Sequence, residues 1–253
     1  MMPPTRLIRL EGFRKRTVLE RVAITTGLIN FFVVGYFGVG LSRNSANAHI
    51  LTTTLDDQIP FIAGSVWAYL WVLSCALLPM FVVRCSGLFR RTAIAYAIVI
   101  AVSLISFTVF PVTSIQLRVP QARLDVSRFS DWAVSLLYSV DPPYNLFPSL
   151  HLSIATLAAL SVWKARKSCG VAVFLSVAFA GASLSTLKQH CFIDILGGLV
   201  LGAFVGALIL APYKPWEHAT RAYPWRVTAA YLVLVAVLYC SLYVAYLHYS
   251  WIG

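Results

Sequence analysis

Seven stretches without a single Lys, Arg, Asp or Glu constrain this chain more than any other feature: residues 22–41, 59–83, 92–117, 145–163, 169–187, 195–213 and 227–247. Each is close to the roughly 20 residues that a helix needs to cross the hydrocarbon of a bilayer. Hydrocarbon offers no partner to backbone N–H and C=O groups, so a spanning segment must be a helix or a strand of a closed barrel. These runs are too long and too uniformly apolar for barrel strands, which alternate polar and apolar side chains. The predicted fold class is therefore all-α, a polytopic transmembrane helix bundle. Only 11% of the residues are charged, against about 25% in an ordinary soluble domain, and the whole of residues 1–253 reads as a single integral membrane domain.

The net charge of +11 raises the question of nucleic acid, and the positions of the basic residues answer it. With the N-terminus in the cytoplasm, fifteen of the twenty Lys and Arg residues fall inside: Arg6, Arg9, Arg14, Lys15, Arg16, Arg21, Arg84, Arg90, Arg91, Lys164, Arg166, Lys167, Lys214, Arg221 and Arg226. The remaining five, Arg43, Arg118, Arg123, Arg128 and Lys188, fall outside. This is the asymmetry of the positive-inside rule, so the basicity is read as topology and no nucleic-acid partner is expected. Six acidic residues, Asp56, Asp57, Asp125, Asp131, Asp141 and Asp194, lie on the outer side in this arrangement, while Glu11, Glu20 and Glu217 lie within. Residues 46–48, Ala-Asn-Ala, imitate a signal-peptidase site. The apolar run before them is longer than a signal h-region, so the first span is expected to be retained as an anchor. The five cysteines have no metal-like spacing and read as small buried hydrophobes.

Ionisable groups within apolar spans are costly and call for an account. Here they gather at one face. Tyr144-Asn145-Leu146-Phe147-Pro148-Ser149-Leu150-His151 opens the fourth stretch, and Lys188-Gln189-His190-Cys191-Phe192-Ile193-Asp194 opens the sixth. The interval from His151 to His190 suits a helix going in, a basic turn at Lys164-Ala165-Arg166-Lys167, and a helix coming back, so both histidines return to the same outer surface. Arg118, at the end of the third stretch, arrives there too. His190 and Asp194, four residues apart, would be neighbours on a helix, where the carboxylate holds one imidazole nitrogen and leaves the other directed outward as a nucleophile. Pro148 suits the first turn of a helix, and the free N–H groups near Ser149 would favour an anion such as phosphate. Along the sixth stretch Gly198, Gly202 and Gly206 continue the His190–Asp194 row and would let another helix approach closely. Trp132 to Tyr138, between the third and fourth stretches, fits an interfacial helix or a plain connecting one.

At these residues the chain resembles the type 2 phosphatidic acid phosphatase superfamily of membrane enzymes. Pro148-Ser149-Leu150-His151 matches the family's second motif in full, and Ser183, His190 and Asp194 stand at the spacing of its third. The variant Phe-Pro-Ser-Leu-His is similar to that of the branch containing inositol phosphorylceramide synthase. The resemblance covers about residues 55–212, leaving 1–54 as a basic segment with a first span, and 226–253 as a probable seventh span beside a six-helix core. In the first motif Arg118 stands for the arginine, but Pro111 takes the lysine's place; in the third, Leu184 replaces an arginine. Lys188, one helical turn further along the same row, is the expected substitute.

The resemblance implies a mechanism. His190 attacks phosphorus to form a phosphohistidine, Asp194 orients it, and His151 protonates the leaving oxygen and then activates the acceptor. Arg118, Lys188, Ser149 and Ser183 hold the phosphoryl oxygens, and no metal or cofactor is needed. The expected partners are a lipid phosphate, the bilayer, and an alcohol acceptor in the case of a phosphotransferase. Water as acceptor would make a lipid phosphatase, and a degenerate lipid-binding or scaffold protein is the reading of another class. The expected address is a bacterial cytoplasmic membrane with the site on the periplasmic side.

Overall fold

The structure, a computed structural model, describes residues 4–43, 47–214 and 225–252. Ala46, Glu217 and Arg221, on which parts of the sequence reading fall, lie outside the described residues. The architecture is all-α. Five helices are long and apolar enough to cross a bilayer: residues Val18–Leu41 of α1 (Pro4–Leu41), α5 (Ser86–Val109), α8 (Lys167–Thr186), α9 (Phe192–Ile209) and residues Ala229–Tyr249 of α10 (Trp225–Ile252). Two shorter apolar helices, α3 (Val66–Cys75) with its 3-10 lead-in Ala63–Ser65 and α7 (Leu150–Ala165), fall on the two remaining apolar stretches.

The second stretch, expected to be one helix, is divided into α3 and α4 (Leu78–Val82). The cause is Pro79 in the first turn of α4, which has no N–H to give and whose ring would collide with the preceding turn. Near the break the Ala76 carbonyl accepts from Tyr96 Oη of α5 at 3.1 Å, so the interruption leaves less backbone unpaired in an apolar setting.

Helix α7 is the axis of the bundle, packed against α3, α4, α5, α8 and α9. Its small residues Ser153, Ala155, Ala158, Ala159 and Ser161 are fully buried. The seryl hydroxyls are paired where they are buried: Ser161 Oγ meets Thr92 Oγ1 of α5 at 2.8 Å, and Ser153 Oγ donates to Gly198 O of α9 at 3.0 Å. The glycine row of α9 faces α7. A methyl group at Gly198 would meet Ser149 O, one at Gly202 would meet Ser153 O, and one at Gly206 would meet Leu160. The close helix approach read from the sequence is thus found, and α7 is its partner.

At one end of the bundle the cations cap helix ends and loop carbonyls. Arg21 donates to Val83 O and Arg84 O, Arg91 to Ile209 O, and Lys164 to Ala211 O and Tyr213 O, supplying donors where the last carbonyls of a helix have none. The other end carries the loops. There lie α2 (Thr54–Gln58) and α6 (Phe129–Val140), the latter containing the expected 132–138 segment, and the backbones of His49, Val112 and Asn145 are bridged. Of the cysteines, Cys75 and Cys191 are buried as expected, whereas Cys240 is exposed on the surface of α10.

The glycine seam makes a direct prediction. Gly198→Ala places a methyl against the Ser149 carbonyl, a backbone atom that cannot swing away, and should lower stability by about 1–3 kcal/mol as overpacking does. Gly27→Ala on α1, where a methyl meets nothing within 4 Å, should be neutral or gain up to about 1 kcal/mol. Thermal unfolding of both variants in detergent micelles checks the contrast.

Candidate active site

The site is assembled by three local devices at the loop-bearing end. The first is the start of α7. Ser149 is its N-cap, with Oγ accepting from Leu152 N at 3.5 Å, and Ser149 N donates to Asp194 O of α9 at 3.0 Å. Pro148 therefore lies just outside the helix, not in its first turn. His151, the second residue of α7, is carried in a position fixed from both sides.

The second device is the end of α8, which stops at Thr186. Lys188 has a left-handed backbone, φ 55°, and the N–H groups of Gln189 and His190 both return to Leu184 O at 3.0 and 3.2 Å. This is the hydrogen-bond return that ends many helices around one left-handed residue. It turns the chain sharply and delivers Gln189 and His190 inward, leaving them 1% and 3% exposed. The row of helical neighbours predicted for Lys188 does not form, because the helix has ended before it. Its ammonium donates to Asp56 O and Ile59 O, both at 2.6 Å. The Ser183 hydroxyl donates to Ala180 O. Both side chains are spent on scaffold carbonyls.

The third device is the N-terminus of α9. Asp56 of α2, buried, accepts from Phe192 N at 2.8 Å, and Asp194 Oδ2 accepts from Cys191 N at 3.1 Å. Two carboxylates at the positive end of a helix are favourably placed. His190 precedes the helix, so the His190–Asp194 pair spans the helix start instead of lying along one turn. Its Nδ1 is 3.6 Å from Asp194 Oδ2, a contact beyond hydrogen-bond length of the kind that tightens when substrate binds.

These devices bring the two imidazoles into contact: His151 Nδ1 lies 3.2 Å from His190 Nε2. A line of polar groups results, Asp194–His190–His151, extended by Tyr69 Oη at 3.2 Å from His151 Nε2. Arg118 stands beside it. Its Nη1 donates to Tyr138 O and its Nη2 to Asp141 O, both at 3.0 Å, and Nη2 also donates to Gln189 Oε1 at 2.7 Å. The guanidinium lies over the Tyr138 ring and 3.8 Å from Asp141 Oδ2. Burial lowers the Arg118 pKa from the ordinary arginine range, an effect opposed by the Asp141 charge. Burial likewise raises the Asp141 carboxyl, opposed by the Tyr36 hydroxyl and by Arg118. Tyr36 Oη donates to Asp141 Oδ1 at 2.7 Å, and its ring meets the His151 ring edge-on.

The sequence reading did not single out Tyr69, Tyr36, Asp141 or Gln189. Tyr69 and Tyr36 sit within uncharged stretches where an aromatic residue reads as core. Among the described residues no group of three His, Cys, Asp or Glu side chains gathers as metal ligands. The arrangement can do nucleophilic and proton-transfer chemistry: one imidazole nitrogen directed at another, a carboxylate behind the first, and an arginine within the same cluster.

A sequence profile of the PAP2 superfamily matches residues 46–210, well over half of the chain, and the chain belongs to that superfamily. No curated protein and no solved structure gives a significant match. Membership and the long apolar helices together make this an integral membrane protein of a phosphatase-like enzyme superfamily.

The Tyr36–Asp141 bond supplies a test of the site's support. Tyr36→Phe keeps the ring contacts but strips Asp141 Oδ1 of its donor in a buried setting, which should cost about 1–3 kcal/mol of stability, read from thermal unfolding against wild type.

Proposed function

We propose that this member of the PAP2 superfamily hydrolyses a lipid phosphate or pyrophosphate ester through a covalent phosphohistidine. The observation that carries the reading is the 3.2 Å approach of His151 to His190 with Asp194 behind the latter. In the first step His190 Nε2 forms a bond to phosphorus as the bond from phosphorus to the lipid oxygen breaks. His151 gives its proton to that oxygen, and Asp194 stabilises the charge left on the His190 ring. In the second step His151 takes a proton from water as the water oxygen bonds to phosphorus, the N–P bond breaks, and phosphate leaves. Arg118 and the N–H groups at the α7 start, near Ser149, offer positive charge to the phosphoryl oxygens, where a transfer of this kind needs it most.

A lipid as substrate is supported by a cavity of about 340 Å³ that has His151 at its edge. It is lined by Leu28 and Phe32 of α1, Met80 of α4, Ala93 and Ile100 of α5, and Ile154 of α7, among other largely apolar groups. Its α5 wall runs from Phe89 to Ile100, eleven residues or about 16 Å at 1.5 Å per residue. That is close to half of a hydrocarbon core of about 30 Å, the length of one acyl chain running from the level of His151 toward the cytoplasmic end of α5. The distribution of basic residues supports a site on the outer, periplasmic side, with Lys188 and Ser183 bracing it from the scaffold.

Transfer to an alcohol acceptor is the second reading, favoured by the Phe147-Pro148-Ser149-Leu150-His151 variant shared with the inositol phosphorylceramide synthase branch. Purified protein supplied with a radiolabelled lipid phosphate, with and without candidate alcohols, separates the two by whether label leaves as free phosphate or on a new lipid. Absence of both from a folded preparation would point to a lipid-binding or scaffold role.

Three variants test the mechanism and the tail cavity. His190→Ala should abolish turnover and the acid-labile phosphoryl-enzyme, and His151→Ala should lower kcat by about 10²–10⁴-fold; undiminished turnover in purified His190→Ala refutes the nucleophile. Ala93→Phe, which fills the cavity wall, should lower kcat/KM for a long-chain lipid phosphate by about tenfold, a change of about 1.4 kcal/mol. Turnover of a short-chain soluble phosphate ester should be unaffected.

A further inference from the structure

We propose that Gln189, together with Arg118, is a direct ligand of the substrate's phosphoryl oxygens. This rests on the phosphoryl-transfer reading above and extends it to a residue with no role there. Gln189 is 1% exposed and immediately precedes His190. Which way its amide faces is decided by chemistry. Arg118 Nη2 donates to it at 2.7 Å, and a guanidinium has donors only, so the atom facing Arg118 is Oε1 and the amide nitrogen faces the other way.

That nitrogen, Gln189 Nε2, is buried and has no hydrogen-bond partner, and the same holds for Arg118 Nε. Folded proteins leave few such groups, because each buried donor without an acceptor carries a desolvation cost. Here two occur on side chains tied to one another by the Arg118–Gln189 bond. What two fixed, buried N–H donors beside a nucleophilic imidazole fit is a group that only accepts hydrogen bonds and carries negative charge, which describes a phosphoryl oxygen.

The lysine that the sequence offered for this role is committed elsewhere. Lys188 Nζ is held by two carbonyls, and position 184 is a fully buried leucine. The backbone turn that bonds Gln189 N to Leu184 O puts the amide into the cluster from the segment where a leucine brings no charge. A neutral donor replaces a cation, with Arg118 supplying the charge.

Gln189→Glu separates a ligand from a structural brace. A carboxylate keeps an oxygen facing Arg118 and so keeps the brace, but it turns the donor that would meet phosphate into a negative acceptor. With the full-length protein in detergent micelles, Gln189→Glu should retain the wild-type unfolding temperature while its affinity for orthovanadate, a phosphoryl mimic, falls about tenfold or more. Its kcat/KM on a lipid phosphate should fall at least as far. Gln189→Met, similar in shape and lacking both polar atoms, should lose both as well and carries the test if the glutamate variant does not fold. Wild-type orthovanadate affinity in either folded variant overturns the proposal and leaves Gln189 a brace for Arg118. Orthovanadate binding is read by calorimetry without turnover. A wild-type protein that binds it in a Gln189-dependent way but turns over no lipid phosphate would therefore sink the enzymatic reading and leave this anion site standing.

Discussion

The seam between α7 and α9 is the contact on which the rest depends. Helix α7 carries His151, while His190 stands just before the start of α9, which carries Asp194, so neither half of the cluster has meaning without the other. Gly198 and Gly202 remove side chains where the backbone of α7 must pass. In the space so opened, Ser149 N reaches Asp194 O and Ser153 Oγ reaches Gly198 O, both at 3.0 Å. Within an apolar surround a hydrogen bond has no water to compete with it and an unmade one has no rescue. The two bonds therefore fix the register of α7 against α9, and with it the separation of His151 from His190. In a bilayer, where apolar burial between helices brings little, such close backbone approach is the main source of specific association.

Around that seam the site carries more polar groups than its burial would ordinarily allow, and it does so by balancing them. Asp141 and Arg118 are each disfavoured as ions by loss of water, and each is favoured by the other's charge. Neither is left to that pairing alone, since at 3.8 Å it is an indirect one. Tyr36 holds the carboxylate, and two loop carbonyls and Gln189 hold the guanidinium. A buried ion pair seldom stabilises a fold by itself. Here the pair holds a cation within the histidine cluster, while Lys188, its ammonium solvated by carbonyls 132 and 129 residues away in sequence, closes the loop of α2 over the start of α9.

How much of this was legible in the sequence depended on the range of the interaction. The spans followed from hydrocarbon's refusal of charge, and the meeting of His151 with His190 followed from counting a helix in and a helix out. The Gly198–Gly202–Gly206 row announced a close partner though not which one. What was hidden were conformations that depend on tertiary context. A left-handed lysine cannot be told from a helical one by its neighbours, so Lys188 was set on a helix that had ended at Thr186. Pro148 was set inside α7 because proline suits a first turn, while the N-cap role fell to Ser149, one residue later. Tyr69 and Tyr36 were hidden because their hydroxyls, in apolar stretches, find partners only across helices. Asp141 sat between α6 and the fourth span without periodicity to mark its burial.

The depth of the site links these features to the kind of molecule it can treat. The Thr92–Ser161 bond sets α5 and α7 level with each other. From there His151 is ten residues along α7, about 15 Å, whereas α5 continues seventeen residues to Val109, about 26 Å. The histidines thus lie about 10 Å below the end of α5, deeper than the roughly 5–8 Å headgroup region of one leaflet. A soluble phosphate ester would have to leave water to reach them. On the proposed reading, a lipid already anchored by its tail needs only to settle its phosphate against Arg118 while a chain occupies the cavity between α1, α4 and α5. On that reading the sunken site and the apolar cavity are one device: the shortness of α7, 16 residues against 24 in α5, lowers His151, and with it the contacting His190, to the level where a chain and its phosphate can be bound together.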